Sequence, residues 1–172
     1  MNPKKDPEKY FSEEQLEEIY TKLQEYTHQN DNSIFEDENV FQYISMDMEY
    51  YYNNENHNYT RVEPITETDI TYYQSQKGKQ YNFHNTNFAS FSRYIEATNE
   101  IIHKWYQLEP CLAIFRTNGP IKHFEMSSFS DDDWQEEEIV PAEGWIITDV
   151  TDISEQYPYN EKVILIDIEA TQ

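Results

Sequence analysis

Glu100 and His103 form a Glu-x-x-His unit, the spacing that sets a carboxylate and an imidazole on one helical face and that ligates paired iron ions in helical bundles. Such a centre takes four helices and a second copy of the unit. This chain has one copy, and the pair falls on a polar face, so a surface position is expected. Cys111 with a distant histidine would make a nucleophile and its base. It follows Pro110 at the start of an apolar segment, where a small buried hydrophobe belongs. Asp131, Asp132 and Asp133 offer oxygen ligands of the kind calcium takes, but Trp134-Gln135 interrupts the spaced acids and the glycine that a calcium loop needs. The three glycines, Gly78, Gly119 and Gly144, cannot build a phosphate-cradling loop. None of His28, His57, His84, His103 and His123 stands at zinc spacing. Carboxylates that could pair for glycoside hydrolysis are too numerous for any two to be singled out. The sequence therefore assigns no catalytic residue, no metal ligand and no cofactor, and the expectation is of a protein that is not an enzyme.

Charge is the stronger signal. The 172 residues carry 34 acidic and 12 basic side chains, a net charge of −22. Residues 1–60 account for 14 acids against 4 bases, residues 61–120 for 6 of each, and residues 121–172 for 14 against 2. Lysine numbers 9 against 23 glutamates, an asymmetry that codon bias toward Asn and Tyr does not produce. Such a balance argues against direct nucleic-acid binding, which needs cations to neutralise phosphates. It also argues against anionic membrane surfaces. It points to a basic protein as partner.

The acids concentrate in "FSDDDWQEEEIV", where six carboxylates surround one indole between Asp131 and Glu138. As a helix the run would span about 12 Å, one charge per roughly 2 Å; extended, about 26 Å, one per roughly 4 Å. Duplex DNA carries about one charge per 1.7 Å of axis, or one per 3.4 Å of each strand. Adjacent charges about 6 Å apart in water repel by roughly 0.7 kcal/mol, a strain that docking on a cationic groove would relieve. The function expected from this pattern is a non-enzymatic inhibitor that presents a DNA-like surface to the nucleic-acid-binding face of a basic protein, in the manner of anti-restriction and anti-CRISPR proteins of phages and mobile elements. The expected partner-binding residues are Asp131, Asp132, Asp133, Trp134, Glu136, Glu137 and Glu138, with Glu36, Asp37 and Glu38 as a second patch. One alternative is an immunity or antitoxin protein that neutralises a basic, nuclease-type toxin. Another is a small α+β enzyme whose site gathers carboxylates around His103 or His123. A scaffold or virion component is the remaining possibility.

These residues must be carried by a framework that the hydrophobic periodicity outlines. Residues 12–28 read as a helix with Ser12 and Gln15 as a capping box, a Phe11–Leu16 staple, and a stripe of Leu16, Ile19, Tyr20, Leu23 and Tyr26. "VFQYISMDMEYYY" alternates and reads as a half-buried strand, returning through "YTRVEPIT", where Pro64 suggests an edge or a bulge. "DITYYQ" suggests a third strand. Residues 90–107 read as a second helix, ended by Pro110. Asn118-Gly119, between two alternating segments, predicts a hairpin. "GWIITDV" and "VILIDIE" supply two further strands. The expected fold is a single α+β domain over 1–172, two helices on a mostly antiparallel sheet of about six strands, with residues 1–10 flexible. The single cysteine and the absence of a signal-like N-terminus or a long apolar run suggest a cytoplasmic protein.

Overall fold

The computed structural model describes residues 6–29, 32–50, 58–83, 87–117, 121–126 and 137–171. They form a mixed α+β chain with four α-helices and eight strands, rather than two helices and about six strands. The chain divides into two compact units: the first takes residues 1–54, 83–90 and 120–142, the second 55–82, 91–119 and 143–172. No described helix is long and apolar enough to cross a membrane.

In the first unit, α1 (Glu13–Gln29) begins as its sequence dictates. The Gln15 N–H donates to Ser12 Oγ at 3.1 Å, and the Ser12 N–H to Gln15 Oε1 at 2.8 Å. Its stripe of Ile19, Leu23 and Tyr26 is buried with Phe11, Phe35, Phe88 and Phe124 in one apolar cluster, against which Leu16 packs. Upstream, where flexibility was expected, Pro7–Lys9 forms a 3₁₀ turn.

The segment expected as a strand after residue 40 is instead α2 (Glu38–Tyr50). Asp37 caps it, accepting from the N–H groups of Asn39 and Val40 at 3.0 and 3.1 Å. Val40, Ile44 and Met48 are buried on one face. Periods of two and of four agree at Ile44 and Met48, so the alternation read there does not discriminate; Val40, a full turn earlier, and the Asp37 cap do. The unit is completed by β5 (Phe124–Glu125) and β6 (Glu137–Pro141), antiparallel, with Phe124 opposite Ile139 and Glu125 opposite Glu138.

In the second unit the strand order is β2 (Gln80–Tyr81), β7 (Trp145–Asp152), β8 (Lys162–Ala170), β4 (Cys111–Thr117), β1 (Tyr59–Pro64). The last residue of β3 (Phe88–Ser92) pairs with Thr60 beside β1. All of these pairings are antiparallel except β4 with β8. The mostly antiparallel expectation therefore holds. The expected hairpin through Asn118-Gly119 does not, because the neighbours of β4 are β1 and β8, and β5 pairs with β6; the two turn residues themselves lie outside the described residues. With strands on both sides, β4 buries Cys111 through Phe115 without interruption, the continuous apolar run of a central strand. Pro64 terminates β1, opposite Leu112.

Two further elements differ from the sequence reading. "DITYYQ" lies in α3 (Glu67–Ser75), which a Thr66–Asp69 capping box nucleates and which buries Ile70 and Tyr73 one turn apart. The T-x-x-D signature of that box was present in the sequence. Residues 90–92 belong to β3, so the second long helix starts later, as α4 (Ile95–Ile101), and continues as a π-helical turn over Ile102–Tyr106. That extra residue per turn rotates the stripe, so that Trp105 is 67% exposed.

Candidate functional site

The chain's three arginines, Arg61, Arg93 and Arg116, all fall in the neutral middle third of the sequence, and the second unit brings them to one row of its sheet. Thr60 is the register partner of both Ser92 and Arg116. Arg61 follows Thr60 and Arg93 follows Ser92. Three guanidinium groups thus stand within one residue of a single cross-strand row, in a chain of net charge −22. Guanidinium is the side chain best shaped for two-point contact with phosphate or carboxylate.

Arg116 and Arg61 are each held by a carboxylate. Arg116 donates from Nε to Asp167 Oδ1 at 2.8 Å and from Nη2 to Asp167 Oδ2 at 3.2 Å, a bidentate pair across the parallel β4–β8 register. These bonds use two of its five N–H donors. Arg61 donates from Nε to Glu63 Oε1 at 2.9 Å along β1. Strand alternation turns Arg61 and Glu63 to the face opposite Thr60. On that second face Phe115 is packed by Tyr73 and Tyr81. Burial raises the phenol pKa of both tyrosines, Tyr81 more strongly, so they stay neutral.

The Thr60 face opens into a cleft of about 360 Å³, within the size range of small-ligand sites. Arg93, Arg116 and Glu96 supply its charge, Asn58 and Gln156 its amides, and Tyr94 and Tyr157 its rings. Beneath it the hydroxyls of Thr60 and Thr98 share a buried 2.6 Å hydrogen bond that locks β1 to α4. Tyr157 donates to Asn99 Oδ1 at 2.8 Å, tying the loop after β7 to the same helix. The wall is therefore rigid, cationic at two points, and aromatic at two others. It suits an anion bearing a flat ring.

The residues expected to bind a partner are placed differently. Asp131, Asp132, Asp133, Trp134 and Glu136 lie outside the described residues, and Glu137 and Glu138 open β6. Glu36 and Glu38 are exposed. Asp37 is not an open acidic contact: it caps α2 and accepts from Lys22 Nζ at 2.5 Å, which lowers its pKa. Cys111 is buried and its thiol pKa is raised, first by desolvation, in keeping with a core role. His103 is exposed. His123 is buried, with Nε2 3.5 Å from Glu125 Oε1 and Nδ1 3.2 Å from the Ile121 carbonyl. Among the described residues no group of three or more His, Cys, Asp or Glu could hold a metal ion. Sequence reasoning missed the arginines; their confinement to residues 61–116 was the available signal.

No protein-family model matches the sequence, and no curated protein matches it. Solved structures do. Plx2a, an ADP-ribosyltransferase toxin from Paenibacillus larvae, is similar over 98% of this chain and 96% of its own, with a TM-score of 0.60 at 11% identity. The fold is that of ADP-ribosyltransferase toxins. An ADP-ribosyltransferase from Clostridium botulinum covers 88% of this chain with 85% of its own at a TM-score of 0.56 and 13% identity. The ADP-ribosylating toxin BECa of Clostridium perfringens, solved with NADH, covers 94% of this chain with 44% of its own at a TM-score of 0.52 and 13% identity.

This likeness overturns the expectation of a non-enzymatic inhibitor, whether DNA mimic, anti-restriction, anti-CRISPR or immunity protein. The fold is one that enzymes use. Carboxylate density reports how a surface repels and attracts, and it is silent about the backbone that carries it.

Proposed function

We propose that this chain is an ADP-ribosyltransferase that takes ADP-ribose from NAD and passes it to a nucleophile on an acceptor. The observation that carries the reading is the likeness to Plx2a over 98% of the chain. The arginine row supports it. NAD carries a pyrophosphate, and guanidinium matches such a group with two-point, charge-assisted contacts. We assign Arg93 and Arg116, the two arginines that line the cleft, to the donor's phosphates, with the cleft tyrosines available to its rings.

In the transfer, the bond between nicotinamide and ribose C1′ breaks with its electron pair leaving on nicotinamide, and the acceptor's lone pair forms the new bond to C1′ as its proton departs. Positive charge builds on the ribose as in glycoside cleavage, and a fixed carboxylate lowers that barrier. Glu136, Glu137 and Glu138 are the carboxylates we propose for this task. They come from the densest acidic stretch of the chain, and β6 holds the backbone of the last two. On this reading the run that suggested a partner-binding surface serves the reaction.

The test is incubation of the full chain with NAD labelled in its adenylate half. The expected products are free nicotinamide and labelled ADP-ribose, bound to protein or released to water. Changing Glu136, Glu137 and Glu138 singly to Gln should lower kcat about 100-fold or more at the essential position, with little change in KM. Absence of NAD binding by calorimetry together with absence of nicotinamide release would refute the proposal. Full turnover in all three glutamine variants would refute the assignment of the run.

A further inference from the structure

A second surface of the same unit, beside the arginine cleft and sharing Gln156 and Tyr157 with it, has the composition of a protein-docking site. Three large apolar side chains stand open at the end of the α4 segment: Trp105 is 67% exposed, Leu108 96% and Tyr159 74%. Soluble proteins rarely leave several such groups at one spot without a use. Trp and Tyr are also the residues that dominate binding energy at interfaces.

The spot is built rather than frayed. Asn160 donates from Nδ2 to the carbonyl oxygens of Tyr106 at 3.1 Å and Glu109 at 2.7 Å, which clamps the 157–160 loop onto the end of the helix. The Glu161 and Lys162 N–H groups both donate to the Pro110 carbonyl, at 2.8 and 3.0 Å. Between helix and loop lies a cavity of about 290 Å³ lined by Ile102, His103, Gln107, Pro158 and Tyr159. The π-helical turn over Ile102–Tyr106 presents Trp105 outward, and such turns recur at functional positions.

Charge selects the occupant. Glu100, Glu109, Glu155 and Glu161 are all exposed along the helix end and the loop. Against them stand Lys104, whose Nζ lies 5.3 Å over the Trp105 ring, and Lys162, which pairs with Asp152 at 2.9 Å. Exposed apolar side chains on elements where exposed glutamates outnumber lysines match a protein segment with one inserted apolar side chain and cationic flanks.

We infer that the end of the α4 segment, with the 157–160 loop, docks a basic protein through Trp105, Leu108 and Tyr159, whatever chemistry the arginine row performs. The test uses the full chain and two synthetic peptides with a common Leu-Phe centre, one flanked by arginines and one by glutamates. The arginine peptide is expected to bind and to slow amide exchange at residues 101–108 and 157–161. Its affinity should fall about tenfold from low to physiological salt and about tenfold again in Trp105→Ala or Leu108→Ser. Both positions are exposed, so the variants fold; circular dichroism checks this, and Glu109→Lys with Glu161→Lys tests the charge independently. NAD turnover should be unchanged in all of them, which separates failure here from failure of the transferase reading. Equal binding of both peptides, binding of neither, or protection elsewhere in the chain overturns the inference. So does a wild-type dimer in sedimentation that Leu108→Asp disperses, since the occupant would then be a second copy.

Discussion

Replacing Arg116 with Met tests the framework of the arginine row directly. Its guanidinium holds Asp167 through two bonds of 2.8 and 3.2 Å, and the Asp167 side chain is 12% exposed. At an effective dielectric near 20, the Coulomb attraction at this range is about 4 kcal/mol before desolvation is subtracted. Deleting one partner of a fully buried pair costs roughly 3–5 kcal/mol, and of a surface pair about 0–1. Arg116 is 36% exposed, so water reaches one side of the abandoned carboxylate and the expected loss is about 2 kcal/mol. For a chain of this size that is a fall in melting temperature of roughly 4–8 °C. Asp167→Asn should cost about half as much, because the guanidinium left behind is more exposed to solvent than the carboxylate is. The double variant should recover most of the Arg116→Met loss, since neither charge is stranded. Differential scanning calorimetry of the four proteins at pH 7 provides the cycle. A double variant as unstable as the sum of the singles, or a larger loss for Asp167→Asn than for Arg116→Met, would refute the account.

Other outcomes follow from single contacts. Arg93→Ala should raise KM for NAD about tenfold or more with kcat nearly unchanged, if its role is to hold the donor's phosphates; steady-state nicotinamide release measures both. A hydrogen bond from Lys22 lowers the Asp37 pKa from its ordinary 3.8, and the same bond raises that of Lys22. The pair's stability is thus fully present above about pH 4 and is lost as pH falls through the depressed Asp37 value, so Asp37→Asn should flatten the acid limb of a melting-temperature profile. The cap itself is worth about 1 kcal/mol, visible as a loss at pH 7 in Asp37→Ala. Thr98→Val strands the buried Thr60 hydroxyl and should destabilise by about 1–3 kcal/mol in urea unfolding, whereas Thr60→Val with Thr98→Val should cost less than that single change. The Cys111 thiol should react with a disulfide reagent only after denaturant is added, because burial and a raised pKa both keep the thiolate away.

The helix at residues 13–29 was legible because cap, staple and stripe agree. The strands β7 and β8 were legible because β-branched residues dominate them and turn residues bound them. Where two periods coincide, as at Ile44 and Met48, pattern alone left α2 undecided. At α3, tyrosines with high strand propensity obscured a Thr66–Asp69 box that outranks them once the helix nucleates. The hairpin at Asn118-Gly119 failed for a different reason: turn chemistry is local, while the partners of β4 are chosen by burial on both its faces. The arginine row was illegible because its members are 32 and 23 residues apart in sequence and meet only through the Thr60–Ser92 and Thr60–Arg116 registers. The acidic run, by contrast, was conspicuous because it is contiguous.

The position of β8 has a consequence for biosynthesis. Residues 162–170 follow every other strand in sequence, yet they lie between β7 and β4. A nascent chain that has emerged only as far as residue 160 holds β4 with one side open, its longest uninterrupted apolar run offered to whatever is nearby. Cotranslational assembly of this unit must then wait until residues 162–170 have emerged, and a stop codon before residue 162 should yield inclusion bodies rather than a smaller folded product.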